Sequence, residues 1–326
     1  MVKMSGAENS VMAGTGVPRK KSFIGKIKSQ PVLQLMVLPG IIWFLIFSYL
    51  PMLGLIIVFQ RFDPFKGFLS SPFVGLAQFK ELFADSSFWS SLVNSIGLSS
   101  IKMLFSFFMP VIFALIMNEV RVLWFKKAIQ TLSYLPHFIS WVVIAGIFTY
   151  WLDRRGIFTD IMNLFGGTTP NVGVLMDPNK FWVSMATIDI WKGLGWWSTI
   201  YLAAITGISQ ELYEAAVVDG AGRFRRMWNI TLPCIRATIA IITIMNVSSL
   251  LGGGLTGSNF NQSLLFGNAL NRSRSEVLDA YTLRMGLSLG RYSYGAASGL
   301  FQSLCALILF WLANFVSGKL TDSSLI

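Results

Sequence analysis

Polar residues recur at helical spacing inside one long apolar run: Ser91, Ser95, Ser99, Lys102 and Ser106. At 100° per residue they fall within a stripe of about 80°. So narrow a stripe can line a water-filled path or pack on another helix, but it should not face lipid. Lys102 sits near the middle of the run, where the insertion scale assigns a lysine about 2.5–3.5 kcal/mol. Water, an acid or an anionic ligand must meet its ammonium, unless the stem snorkels to an interface. A second run carries Asp189, Lys192, Trp196 and Thr199 on one face. Asp189 and Lys192 are three apart, so they can pair and lower each other's burial cost. In a third run Asn246, Ser249 and Gly253 share a face. Groups of these types bind and pass a polar solute. Ser95, Ser99, Lys102, Asp189, Lys192, Trp196, Asn246 and Ser249 are the candidate lining of such a path, with plain helix packing as the competing reading.

Bond-making chemistry finds little support. The single histidine, His137, stands beside Pro136 in or near an apolar run, which removes most metal and triad chemistry. It reads as an interfacial or packed residue, and no metal site is expected. Gly286–Gly290 (GLSLG) fits the nucleophile-elbow string, but that string needs a strand–turn–helix setting with an acid and a histidine. Gly252–Gly257 (GGGLTG) has the dinucleotide-fingerprint spacing, yet it ends an apolar segment instead of opening a βαβ unit. No P-loop lysine motif occurs, so the chain is not expected to bind ATP or another cofactor itself. Cys234 and Cys305 both fall in apolar segments, far apart, and read as buried thiols.

The elements that must position these residues are membrane helices. The chain is 54% hydrophobic and 13% charged, with a mean hydropathy of +0.61, far more apolar than a soluble domain of 326 residues. Six runs reach the roughly 20 residues needed to cross the hydrocarbon: about 33–59, 88–117, 127–151, 182–208, 230–253 and 296–316. The expected architecture is an all-α, six-span membrane domain over 33–316, with polar tails at 1–32 and 317–326. No internal repeat and no soluble domain is visible. The tail carries Arg19, Lys20, Lys21, Lys26 and Lys28 ahead of the first apolar run, unlike a cleavable signal. With the N-terminus inside, the tails, 118–126 and 209–229, together with Lys127, hold thirteen Lys/Arg against six acids. The opposite loops, 60–87, 152–181 and 254–295, hold ten against eight. The positive-inside rule therefore puts both termini in the cytoplasm. The net charge of +11 follows from this distribution and calls for no nucleic acid.

Between the fourth and fifth runs lies a charged insert, Glu214–Pro233, EAAVVDGAGRFRRMWNITLP. Ser209 can cap a short helix with Glu211 in its first turn. Leu212, Tyr213, Ala216 and Val217 fall on one side of it, with Glu211 and Glu214 on the other. Asp219-Gly220 breaks the helix, because glycine accepts the left-handed conformation that ends one. Pro233 suits the first turn of the next helix. The expectation is a compact helical knob held at the membrane by spans on both sides.

Glu-Ala-Ala, Asp-Gly-Ala and Ile-x-Leu-Pro at this spacing resemble the EAA loop of the permease subunits of bacterial ABC importers. Glu214, Ala215, Ala216, Asp219, Gly220, Ala221, Ile230, Leu232 and Pro233 carry the match, with Met227 where that family often has phenylalanine. The resemblance implies a type I importer permease whose loop, 209–233, is a coupling helix docked in a cytoplasmic ATPase. It also implies a second permease subunit, commonly a different chain, and two ATPase subunits that hold the ATP and Mg. An external solute-binding protein would deliver the substrate.

Phe62–Phe83 is similar to the first external loop of carbohydrate-importer permeases. Tyr134–Phe148, Asp189–Ile205 and the LYEAA start resemble a branch that takes up complex oligosaccharides, including aldouronates and alginate fragments. Together these matches cover most of the chain from about residue 33. Residues 253–280 depart from that pattern. On this reading Trp191, Trp196 and Trp197 could stack on sugar rings, or simply form an interfacial aromatic belt. Arg272, Arg274, Arg284 and Arg291 make the last external loop basic, either as plain surface charge or as an attraction for an acidic sugar. The rivals are a permease for peptides or amino acids and a secondary transporter. The latter would need inverted repeats and coupling-ion carboxylates at mid-membrane.

Overall fold

The structure, a computed structural model, describes residues 31–165, 173–251 and 257–321. Most of the 1–32 tail with its six basic residues, the end of the 317–326 tail, and Gly253 lie outside the described residues. Helix α1 (Pro31–Phe44) contains Pro39 and passes into a π turn (Leu45–Tyr49) and a 3-10 stretch (Leu50–Phe59). Residues up to Leu55 form a unit of their own, and almost every side chain on it is exposed. A helix that is apolar on all sides suits lipid, where backbone groups must be satisfied within the helix.

The second unit begins at Ile56. After an antiparallel bridge between Gln60 and Phe73, α2 (Ala77–Ala84) leads through Asp85 into α3 (Ser86–Glu119). Next come α4 (Leu123–Phe138), α5 (Trp141–Trp151) and α6 (Ile157–Leu164). Helix α7 (Pro178–Thr206) is capped by Asp177, with Pro178 in its first turn. Helices α8 (Gln210–Val218) and α9 (Arg223–Arg226) follow, and α9 runs through a π turn to Cys234. The remainder is α10 (Arg236–Ser248), α11 (Ser258–Phe266), α12 (Arg272–Ser275), α13 (Leu278–Leu283) and α14 (Tyr292–Thr321).

Among the described residues three helices are long and apolar enough to cross a membrane, or five if each bent pair counts as one span. Two runs expected as single spans are broken. The 127–151 run is α4 and α5, bent by 100°, and the 230–253 run bends by 60° between Cys234 and Arg236. At the first break Pro136 sits in the last turn of α4, and Ser140 starts a new helix by accepting the Val143 amide at 3.3 Å. Pro233 does lie in a first turn, but of the three-residue helix Leu232–Cys234; the long helix starts only after the bend. Cys234 is exposed on this chain and Cys305 half-buried, so the expectation of two buried thiols is corrected.

Burial on α3 is the reverse of that on a helix in water. Ser91, Ser95, Ser99 and Lys102 are buried, while Val93, Ile96, Leu104, Phe105, Phe108 and Ile112 are exposed. Lipid solvates the apolar face, and the polar stripe turns inward. Two apolar clusters lie at different heights along α3 and α7. One joins Leu98, Ile144, Phe181, Met185 and Ile188. The other joins Val111, Leu115, Tyr201, Ile205 and Ile242.

A third cluster, around Phe88, Leu278 and Tyr294, anchors α2, α13 and the start of α14 to the N-terminus of α3. Its polar centre is Asp85, which accepts the Ser87 amide at 2.8 Å and the Tyr281 and Tyr294 hydroxyls at 2.6 and 3.1 Å. Burial alone would raise this carboxyl, but the bonds from Tyr281, Ser87 and Tyr294 outweigh it and hold it below the usual range. A depressed carboxyl contributes its stability above the unfolded value and loses it as pH falls through the folded one. Asp85→Asn should therefore lower the melting temperature at neutral pH, by a loss of about 1–3 kcal/mol. The gap to wild type should narrow on acidification. Identical melting curves at pH 7 would exclude the anchor.

Candidate functional site

Between the two shared clusters of α3 and α7 the polar stripe opens into a cavity of 460 Å³. Lys102 stands midway along the 34-residue α3, and Asp189 and Lys192 face it from α7. Asn246 of α10 and its C-cap Ser249 close one wall, and His137, Trp141, Ser258 and Asn259 also line the cavity. Of the eight residues expected to line a path, Ser99, Lys102, Asp189, Lys192, Asn246 and Ser249 line this cavity. Ser95 does not: its hydroxyl accepts the Leu278 amide at 2.7 Å and holds the loop before α13 in place. Trp196 is turned aside as well, stacked flat on His137 at 4.5 Å. Trp197 takes its place in the wall, and Trp191 packs against Phe148.

The two lysines do different jobs. The expected Asp189–Lys192 pair does not form. Lys192 Nζ donates to the carbonyls of Pro136, His137 and Ile139 at 3.1, 2.6 and 2.7 Å. Those are carbonyls at the end of α4 and its cap, where the chain bends by 100° and only Pro136 also accepts a backbone amide, that of Ile139 at 3.2 Å. Three hydrogens meet three oxygens, so the ammonium acts as a cationic C-cap for a broken span. Trp141, at the start of α5, lies 5.6 Å below the same nitrogen. Position 192 could not choose Asp189 without exposing the break.

Asp189 instead approaches Lys102, at 3.7 Å. Lys102 Nζ also donates to Asn259 Oδ1 at 2.7 Å and Ser258 Oγ at 3.2 Å. Asn259 Nδ2 donates onward to Ser99 Oγ at 2.6 Å, so α3, α7 and α11 meet at one ammonium. Its strongest contacts are to neutral oxygens, and its one acid is long and partly open. An anion entering the cavity would meet an ammonium already desolvated and held largely by neutral oxygens.

The sequence reading missed Ser258 and Asn259, which lie in the divergent 253–280 stretch assigned to an outer loop. A signal was present. Ser258, Asn259, Gln262 and Ser263 repeat at one and four residues, and Asn259, Gln262 and Ser263 are buried, with Gln262 donating to the Met185 carbonyl at 3.0 Å. Asn94 was also missed; it holds the Ser273 and Glu276 carbonyls at 3.0 and 3.1 Å. The basic loop residues are already engaged. Arg272 and Arg284 pair with Glu276, Arg291 pairs with Glu81, and Arg274 lies 4.8 Å over the Trp182 ring. Burial would raise Glu276, but the bonds from Arg284 and Arg272 hold it low. Each of these arginines thus has a partner within the fold.

The Glu214–Pro233 insert folds as a capped knob. Ser209 Oγ accepts the Glu211 amide at 3.3 Å. At the other end of α8, the Gly220 amide reaches the Val217 carbonyl at 3.0 Å and the Ala221 amide reaches Ala216 at 2.8 Å. That pair of bonds is a Schellman motif, and Gly220 takes the required left-handed φ of 75°. Tyr213 turns inward to bond Thr231 at 2.9 Å, and Ala216 is half-buried. Leu212, Val217 and Val218 stay exposed, Val218 at 88%. Glu214, Ala215, Asp219 and Ala221 range from exposed to half-buried on the same knob, Ile230 and Leu232 are half-buried at its base, and Pro233 is exposed. Among the described residues nothing covers this apolar tip.

Comparison with known proteins agrees with this geometry. The family model described as "Binding-protein-dependent transport system inner membrane component" matches residues 110–322. The chain is 41% identical over 315 residues to Protein LplB of Bacillus subtilis (strain 168), covering 96% of this chain and 95% of that protein. It is 39% identical to the polygalacturonan/rhamnogalacturonan transport system permease protein YteP of the same organism, over 94% of each. A chain from the crystal structure of a bacterial alginate ABC transporter, in complex with an alginate pentasaccharide-bound periplasmic protein, superposes with a TM-score of 0.82. It is 35% identical, over 92% of this chain and 98% of that one. A second such structure, described as importing the acidic polysaccharide alginate, gives the same score at 36% identity. The buried ammonium, the broken spans and the capped knob thus sit in a helical membrane permease, a transport subunit and not a catalytic one, and the chain belongs to the family of binding-protein-dependent transport system inner membrane components.

Proposed function

We propose that this permease carries an acidic oligosaccharide from a solute-binding protein across the bacterial cytoplasmic membrane, through the cavity at Lys102. One observation carries the reading. The cavity holds two ammonium groups against one carboxylate, and only Lys192 is fully occupied by backbone carbonyls. A desolvated, net-positive, hydroxyl-lined chamber suits a uronate better than a neutral sugar or a peptide amine. The alginate and polygalacturonan/rhamnogalacturonan systems among its relatives point the same way.

The excess of Lys and Arg supports placing the termini and the 209–233 loop in the cytoplasm. There the exposed tip at Leu212, Val217 and Val218 would dock one of two ATPase subunits, which would hold ATP and Mg. A second permease subunit, different from this one, would complete the path, and ATP-driven closure would switch its access from one side to the other. Reconstituted with those partners in liposomes, the complex should hydrolyse ATP faster when the binding protein is loaded with an oligouronate than when it is empty. The carboxyl-reduced oligosaccharide should stimulate less. Equal stimulation by both would remove the acidic specificity; transport driven by a proton or sodium gradient without ATP would remove the importer reading itself.

A further inference from the structure

The end of α3 opposite Asp85 meets the base of the knob. Arg223 Nε approaches Glu119 Oε2 at 3.9 Å, and Val120, Ile129, Met227 and Leu232 pack against one apolar cluster. The start of α4 and the stretch from α9 into its π turn thus flank a single helix end. Their outer sides stay uncovered among the described residues. Trp124 and Phe224 are each 72% exposed, and Leu123 and Trp228 are exposed as well. Phe224 and Trp228, four apart, lie nearly parallel with ring centroids 6.4 Å apart, while Met227 turns inward.

Cations are interleaved with these rings. Arg121, Lys127 and Arg225 are exposed, Lys126 and Arg226 half-buried. None of the five side chains has an ion pair or hydrogen bond among the described residues. With Arg223 they set six positive charges against Glu119 alone. Residues outside the description add six Lys/Arg and two acids, so the chain cannot balance the excess from there. The four arginines at 272–291, by contrast, each hold a partner. An acidic protein surface would answer the charges at 121–127 and 223–226 but not the rings beside them. An anionic lipid brings phosphate and hydrocarbon in one molecule, and rings at span ends beside long basic stems suit that boundary.

We propose that an anionic phospholipid of the cytoplasmic leaflet binds where the start of α4 and α9 flank the end of α3. Its phosphate meets the unpaired cations of both elements, and its acyl chains lie along Trp124, Phe224 and Trp228. Arg225 and Lys127, exposed and unpaired, are the groups most open to the headgroup. The choice of leaflet rests on the topology put forward above.

The test uses the full complex in nanodiscs of phosphatidylcholine with a minority of phosphatidylglycerol. Benzoylphenylalanine at position 228 is crosslinked, and the attached lipid is identified by mass spectrometry. Each basic residue near the surface is worth about a fivefold preference for an anionic lipid. Phosphatidylglycerol should therefore be captured at least about tenfold above its bulk share. The same probe at position 93, exposed toward the other end of α3, should capture it near that share. Arg225→Gln combined with Lys127→Gln should keep the membrane level of wild type and bring capture at 228 close to the bulk share. Arg225→Lys with Lys127→Arg should retain the enrichment. Bulk-share capture at 228 without these substitutions, or crosslinks to a protein subunit in place of lipid, would overturn the site. So would displacement of the lipid by inorganic phosphate at fixed ionic strength. An impermeant thiol reagent that labelled Arg225→Cys, in a Cys234→Ser chain, from outside intact cells would overturn the cytoplasmic assignment and the topology beneath it.

Discussion

Gly220→Pro should insert into the membrane at wild-type levels and yet abolish coupled uptake. Gly220 holds a φ of 75°, and a Cβ there would meet nothing within 4 Å, so its requirement is purely conformational. Proline fixes φ near −65° and removes the amide that bonds Val217. The Schellman end of α8 then cannot close, at a cost of about 3 kcal/mol or more, on the order of a hundredfold in the population of the native knob. Neither spanning neighbour, α7 or α10, includes Gly220, so insertion should be unaffected. In proteoliposomes basal ATP hydrolysis should persist, no longer stimulated by loaded binding protein, while uptake falls about a hundredfold. Gly220→Ala, which can still enter the left-handed region at about 1 kcal/mol, should lose only about fivefold. Uptake unimpaired by the proline would show that the knob transmits nothing.

Lys102→Met should be the most damaging change in the cavity. It strips Asn259 Oδ1 and Ser258 Oγ of their donor and leaves Asp189 without its cation. Removing one member of a buried pair costs about 3–5 kcal/mol, and the partial exposure of Asp189 puts this site at the lower end. Part of the effect would be on folding, so a second variant is informative. Lys102→Met combined with Asp189→Asn removes both charges and should restore most of the melting temperature. If the ammonium reads the substrate's carboxylate, uptake of an oligouronate should remain at least about tenfold depressed in the stable double variant. A double variant that carries the oligouronate as well as wild type would eliminate Lys102 as the reader of charge.

The polar stripe was legible because helical periodicity survives in any helix that divides lipid from protein. Ser91, Ser95, Ser99 and Lys102 could be assigned to a buried face from spacing alone, as could the cap at Ser209 and the break at Gly220. The pairing of Asp189 was misjudged for the opposite reason. A three-residue spacing permits an ion pair, but it says nothing of competitors from other helices, and Lys192 met three carbonyls at the end of a broken span. That break was itself hidden, since Tyr134–Phe148 reads as continuous apolar sequence and hydropathy does not register direction. Asn259 was lost because a short polar helix following an apolar span reads the same whether it turns outward or returns to the centre.

Membrane residence, the inward polar stripe and the knob between α7 and α10 were therefore fixed by the sequence itself, because each depends on neighbours within about one or two turns of helix. Which charge faces which was decided only by the tertiary structure. A buried ammonium is held by whichever oxygens come within about 3 Å, and here those of Lys102 and Lys192 come from helices that lie 50 or more residues away along the chain.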